Sequence, residues 1–388
     1  MGLGAIMLAY AAFDYSAATN LRRGNPELAY RVRPTDPGAI ASVMNYRIAA
    51  QVPFAANEDD AANTRIAIQS EPLNRTLIRT LAVQAELRGD KAMAAKGMIA
   101  ADRMSRRDTI AQMWLAEYFR RRNEPVRSLS HYNAAMLVKP ELQQVLLPGM
   151  VPALADSAFR KALQPYILRY SGWAVVLIGT ATAASPEYVL QVMEPLAPRL
   201  SGGGYNLAFS KMVHQLSVRG EHARAMSLAT KAFAEFDAGR FSALGWDTST
   251  TDRRLGDLSW EFAQSGDVSA SFEDARRLTI TTLPFTSGIA ATRDIAVTPG
   301  KGFGFSHKIR YETPSSMAKL RWAASCVLTR GDAPFWQQDV PTAASATGFS
   351  AQIPVPNGCN LMRLKLQVFG ADSQMSSEVS VSDLAVTR

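Results

Sequence analysis

The sequence predicts a multidomain chain, α then β, in which a helical solenoid is followed by a β-sandwich. Three observations predict it. A 34-residue self-similarity runs through residues 75–142, the apolar pattern changes from helical to alternating near residue 237, and turn clusters separate short apolar runs from there onward. The 388 residues suit two or three domains of about 150 residues each. With 47% hydrophobic and 20% charged residues, wholesale disorder is excluded. No apolar run reaches the roughly twenty residues of a membrane-spanning helix, so a polytopic membrane protein is excluded too. Two cysteines and four histidines leave no material for a zinc ribbon or an iron–sulfur site, and no metal or other cofactor is expected. The net charge is +8, from 32 Arg and 10 Lys against 34 acidic residues. An excess so modest and dispersed does not argue for nucleic acid; an anionic glycan or lipid surface suits it as well.

Residues 1–35 read as an N-terminal apolar segment followed by a tether. Met1 to Phe13 carries no charge, is too short to span a bilayer as a straight helix, and lacks the basic start of a secretory signal. It reads either as the remnant of a membrane anchor, the reading we favour, or as a helix packed on the next domain. Leu21 to Pro37, rich in Arg and Pro, reads as the tether.

Residues 36–236 read as stacked helix pairs. Shifting the chain by 34 residues pairs Leu81 with Leu115, Ala82 with Ala116, Met98 with Tyr132 and Ala101 with Ala135. Small residues at Ala82 and Ala116 let the first helix of a pair approach the second, Gly89 ends the first, and Pro72 and Pro140, two periods apart, stop the second. These positions resemble the tetratricopeptide repeat, with repeats at 75–108 and 109–142 and a weaker one before them. Two departures stand out: Ile78 takes the place of an aromatic residue, and Asn123-Glu124 that of Gly-Asp. Tyr205 to Phe236 reads as a further pair turning at Gly220-Glu221. A plain helical bundle is the competing architecture. A solenoid of such pairs offers a surface to a protein partner.

Residues 237–388 read as a β-sandwich. Apolar-alternating runs occur at 258–262, 278–282, 295–297, 303–311, 320–328, 361–369 and 379–386, with turn signals such as Thr298-Pro-Gly300 and Pro356-Asn-Gly358 between them. Phe236 to Phe241, Gly245-Trp246-Asp247, Arg277 to Ile280 and Phe303 to Arg310 follow in an order that resembles the jelly-roll carbohydrate-binding modules. The whole chain resembles the anchored tetratricopeptide proteins with a C-terminal sandwich found in proteobacterial exopolysaccharide loci. That resemblance implies a role in assembly or export of envelope polysaccharide, in the periplasm and tethered to the inner membrane.

For chemistry, the sequence offers contacts rather than catalysis. Trp260 and Trp322 alternate with apolar neighbours and read as core, whereas Trp246 and the group Phe335, Trp336, Gln337 and Asp339 sit in loop-like contexts and are candidates for stacking on a glycan. Packing against the sheet edge competes with that reading. Asp247, Asp252, Asp257 and Glu261 crowd in sequence without any sign that two of them flank a cleft, as a glycosidase requires. His131, His214, His222 and His307 share no metal-ligand spacing, and His214 and His222 read as part of a solvated helix pair. No nucleophile elbow, zinc-protease or nucleotide motif is present, so an enzyme is not expected. Arg88, Arg103, Arg106, Arg107, Arg120, Arg121, Arg122 and Arg127 form a candidate basic rim for an acidic polysaccharide or an acidic loop of a partner. Cys326 lies in phase with Trp322 and Ala324, and Cys359 follows a turn at the mouth of the next strand. A disulfide between them is expected, with two separate buried thiols as the alternative. The leading functional expectation is a non-enzymatic scaffold that binds a protein partner and touches the membrane through its N-terminus. The alternative is a glycan-binding protein acting through the sandwich.

Overall fold

The computed structural model describes residues 13, 15–49, 58–201, 203–246, 253–264, 266–274, 276–313, 315–327, 333–343 and 345–387. Of the apolar N-terminal segment only Phe13 is among them, so the anchor expectation lies outside the described residues. No helix among the described residues is long and apolar enough to cross a membrane. The chain divides into two compact units, residues 1–163 and 164–388.

The first unit is helical: α1 (15–24), α2 (Pro26–Val32), α3 (Pro37–Ala49), α4 (Glu58–Ser70), α5 (Arg75–Leu87), α6 (Lys91–Met104), α7 (Thr109–Arg121), α8 (Pro125–Val138), α9 (Leu142–Met150) and the first half of α10 (Ser157–Leu168). The helix pair α5–α6 recurs as α7–α8 at the 34-residue spacing that the sequence shows. Each start is set locally. Asn74, Asp90 and Asp108 accept hydrogen bonds from the first free backbone N–H groups of α5, α6 and α7. The ends of α5 and α7 close alike. The amide of Asp90 donates to the carbonyl of Ala85 and that of Glu124 to Phe119, both at 2.9 Å, across a left-handed residue, Gly89 at φ 83° and Asn123 at φ 57°. Asparagine tolerates that conformation better than other side chains, which explains how Asn123 replaces glycine in the second repeat. Ala82, Ala94, Ala101, Ala116 and Ala135 are buried where the helices meet. An added Cβ on Gly97 would come within 2.7 Å of the Ala82 Cβ, so these small residues set the interhelical distance.

The second unit carries the end of α10, then α11 (Gly172–Ala184), α12 (Pro186–Met193), α13 (Ala197–Leu200), α14 (Asn206–Val218), α15 (His222–Ala232) and the short α16 (Ala238–Ser242). The α14–α15 pair closes like the earlier ones, with Gly220 at φ 83° and the Glu221 amide bonded to the carbonyl of Leu216 at 2.9 Å.

The sandwich follows, with β1 (Glu261–Phe262), β2 (Val268–Asp274), β3 (Arg277–Thr282), β4 (Ser287–Ala296), β5 (Gly302–Tyr311), β6 (Lys319–Cys326), β7 (Trp336–Val340), β8 (Thr347–Pro354), β9 (Leu361–Phe369) and β10 (Ser377–Thr387). Two five-stranded antiparallel sheets, β1-β4-β9-β6-β7 and β2-β3-β10-β5-β8, pack as a jelly roll. Alternation divides each strand: Met362, Leu364, Leu366 and Val368 of β9 point into the core, and Arg363, Lys365 and Gln367 lie on the other face. Cys326 and Cys359 are bonded, with Cα atoms 5.7 Å apart, and tie the end of β6 to the turn before β9. Strands β2, β7, β8 and most of β4 fall outside the apolar runs read from the sequence, although β8 alternates with Phe349, Ala351 and Ile353 buried. β7 (WQQDV) is an edge strand on which Gln337, Gln338 and Asp339 are exposed, so the alternation that betrays a half-buried strand is missing there.

Candidate functional site

The helical pairs run antiparallel, so their turns form two edges. One edge holds the turns after α5 and α7, with Arg88, Arg120, Arg121, Arg122 and Arg127; Arg103, Arg106 and Arg107 lie at the other, about 20 Å away along a helix of this length. A hydrogen bond of 2.7 Å from Arg75 Nη1 to Ser105 Oγ places the start of α5 beside the end of α6. The rim expected from sequence is therefore two groups of exposed arginines. On the first edge the charge is partly spent internally: Glu117 binds Arg120 and Arg121, and Glu124 binds Arg122 and Arg127. The Arg120 hydrogen bond holds the Glu117 carboxyl well below its ordinary range, at about 2.

The first edge also holds a cavity of about 350 Å³ that sequence reasoning missed. Its wall is Trp114 and Tyr118, one helical turn apart on α7, with ring planes inclined 16° and centroids 5.1 Å apart. Both rings also pack on the core of buried Ala82, Met98, Leu115 and Phe119. Around them stand Lys91, Arg121, Arg122, Glu86 and Glu117, and the Arg122 guanidinium lies 5.4 Å from the Tyr118 ring centroid. Glu86 Oε2 is shielded from solvent with no hydrogen-bond partner among the described residues. The signal available in the sequence was the i,i+4 aromatic pair between Lys91 and the Arg120–Arg122 run, which a reading focused on repeat positions passes over.

In the sandwich the predicted glycan contacts separate. Trp246 is 1% exposed and packs on Trp260 at 4.6 Å and on Phe262 at 5.9 Å; it belongs to the sandwich core. Phe335 and Trp336 are half-buried against the core, and Trp336 opposes Ala324 in the register of β6 and β7. Gln337 and Asp339 are exposed on the opposite face of that sheet, where Asp339 pairs with Arg321 at 2.5 Å. Asp247 and Asp252 lie outside the described residues, Glu261 is exposed on β1, and Asp257 binds Arg363 at 2.8 Å.

His214 and His222 are half-buried rather than on a fully solvated face, since α14 and α15 pack on the sandwich. His214 Nε2 lies 3.4 Å from the buried carboxylate of Asp294 on β4, which Arg363 holds at 2.7 and 2.9 Å. His214, Asp257 and Asp294 present their ligand atoms within 4.8 Å of one another, but the guanidinium already bridges the two carboxylates, so the cluster is an ion-pair network at the helix–sheet joint. Beside it a cavity of about 310 Å³ is lined by His222, Phe241, Leu258, Arg293 and Phe303 among others. Burial lowers the His222 pKa.

No family model matches the chain, and no curated protein does. Among solved structures, the C-terminal sandwich is similar to a CBM4 module, at 14% identity and TM-score 0.28 over 37% of this chain and 99% of that one. It is also similar to TmCBM61 in complex with β-1,4-galactotriose, at 9% identity and TM-score 0.25 over 37% and 98%. A third is the C-terminal family 22 carbohydrate-binding module of Clostridium thermocellum Xyn10B, at 18% identity and TM-score 0.24 over 39% and 96%.

Proposed function

We propose that the protein is a non-enzymatic scaffold in the assembly or export of envelope polysaccharide, whose helical unit binds a protein partner. The observation that carries this reading is the second turn edge. Leu73, Val145 and Leu137 are 85%, 74% and 72% exposed at its turns, in company with the exposed Arg103, Arg106 and Arg107. Large exposed apolar side chains accompanied by arginine are the composition of protein interfaces. The polysaccharide setting is supported by the domain order, which resembles the anchored repeat proteins of exopolysaccharide loci. The Cys326–Cys359 bond supports an oxidising compartment, the periplasm, since such bonds seldom persist in a reducing cytosol; attachment to the inner membrane through the N-terminus belongs to the same reading. Photo-crosslinking from positions 137 and 145 of the full chain in native membranes tests it. Enrichment of a polysaccharide-assembly protein that is lost with Leu137→Asp or Arg106→Glu supports the scaffold; labelling that these variants leave unchanged counts against it.

The alternative, glycan binding by the sandwich, has one observation in its favour: Gln337 and Asp339 are exposed beside Arg321 on a sheet face, with Trp336 on the same edge strand. A glycan array probed with the full chain and with Gln337→Ala and Trp336→Ala separates the two readings.

A further inference from the structure

We infer that the Trp114–Tyr118 cavity is a binding subsite for an acidic pyranose, a uronate residue of a polysaccharide chain. The inference stands on the cavity alone and does not rest on the partner proposed for the other edge.

The lining selects the ligand class. A groove for an apolar peptide is walled by aliphatic side chains, and this cavity has none: beyond its two aromatic rings, every lining residue is charged. The two rings stack on one another, and the ring face that the stack leaves uncovered is a flat apolar surface of the kind on which the C–H bonds of a pyranose pack. The hydroxyls of a sugar both donate and accept, and here acceptors (Glu86, Glu117) and donors (Lys91, Arg121, Arg122) surround the face together. Glu86 lines the cavity, and its Oε2 has no partner among the described residues. Within the lining the cations outnumber the carboxylates. Glu117 is shared between Arg120 and Arg121, and Lys91 makes no ion pair among the described residues, so the surplus positive charge favours a carboxylate on the sugar. A volume near 350 Å³ falls at the small end of ligand sites and suits one ring with its substituents. Gly89, at the turn of the adjoining helix pair, has nothing within 4 Å of the place a Cβ would occupy, which leaves this edge open for the rest of a chain.

The test titrates full-length protein by calorimetry with tetragalacturonate, with neutral maltotetraose and with oligoglutamate of matched charge. Binding of tetragalacturonate, at least about tenfold tighter than either comparison ligand and weakened by salt, is expected. Trp114→Ala should abolish it. Because that ring also packs on the helical core, the double variant Lys91→Gln/Arg121→Gln, at two exposed positions, is the second arm. It should keep the wild-type unfolding midpoint while weakening tetragalacturonate about tenfold. Absence of binding at millimolar tetragalacturonate overturns the inference, as does binding that survives both cavity variants. Tighter binding of oligoglutamate overturns it in favour of an acidic protein segment. None of these results bears on crosslinking from positions 137 and 145, so the scaffold reading fails or stands separately.

Discussion

The pairs α5–α6 and α14–α15 are built alike and used differently. Both turn through a glycine at φ 83°, and both close the first helix with the same amide-to-carbonyl bond of 2.9 Å. In α5–α6 the turn faces open space, and Lys91, just past it, is exposed in the lining of a cavity. In α14–α15 the turn is a joint. A Cβ on Gly220 would stand 2.9 Å from Asn360 Oδ1, the Asn360 amide donates to the carbonyl of Val218, and His214 reaches Asp294 on β4. The repeat motif specifies the bend of the chain, and the side chains beyond the bend decide whether the edge receives a ligand or a sheet.

Each kind of pair also relies on a buried carboxylate, and this is where the comparison breaks most visibly. Asp108, at the start of α7, is held by Arg79 of α5 at 2.8 and 2.9 Å, with both side chains almost wholly buried. Removing one partner leaves an uncompensated buried charge, so Arg79→Ala should destabilise the helical unit by about 3–5 kcal/mol. Arg363→Ala at the joint should cost less, about 1–3 kcal/mol, because the Arg363 side chain is 31% exposed and water reaches the site it leaves. Urea unfolding followed by circular dichroism checks the ranking; equal losses would mean that solvent access does not distinguish the two pairs.

A second contrast is set by pH. His307 is buried in the sandwich, where desolvation lowers its pKa to about 4, and its Nε2 accepts a hydrogen bond from Trp322 Nε1 at 2.9 Å. The folded protein therefore binds this proton less readily than the unfolded chain, whose histidine titrates at the ordinary 6.5. The stabilisation is complete above pH 6.5 and is lost as the pH falls toward 4, to a total of about 3 kcal/mol. His131, in the helical unit, is shifted in the same direction by burial, but it is only half-buried and should give a shallower slope. Stability of wild type and His307→Gln between pH 7 and pH 4 checks this; a variant as acid-sensitive as wild type would remove His307 as the cause.

The backbone plan was legible in the sequence because it is written in local signals. A 34-residue register, alanines at the helix contacts, Gly89 at a turn and prolines two periods apart place α5 to α8, and two-residue alternation places β3, β5, β6, β9 and β10. The joint was not legible. His214 and Asp294 are 80 residues apart, and His214 alone reads as part of a solvated helix pair. Trp246 misled for the same reason: the irregular segment around it reads as an exposed loop, and only tertiary packing buries the ring. At the cavity, Trp114 and Tyr118 carry the one-turn spacing of any helix face, and the charges that give them meaning come from three separate stretches of chain.

The smallest effects test the turns themselves. Gly89→Ala and Gly220→Ala both force a side chain into a left-handed conformation, at about 1–2 kcal/mol each. At Gly220 the added methyl also meets the Asn360 amide and disturbs its bond to Val218, so Gly220→Ala should be the worse of the two by about 1 kcal/mol. Urea midpoints at unchanged slope measure the difference, and parity would mean that the turn is not seated on the sheet. Gly89→Asn gives the finest reading. Position 123 is the equivalent of 89 one period on, and asparagine already occupies it at φ 57° with the same closing bonds, Asn123 N–H to Arg120 and Glu124 N–H to Phe119. An asparagine at 89 has open space around it and a side chain that tolerates this conformation. It should therefore cost about 0.5–1 kcal/mol, about half the cost of alanine at the same place. If asparagine is as damaging as alanine, the two turns differ in more than their sequence, and the equivalence of the two pairs fails at the residue where it is most direct.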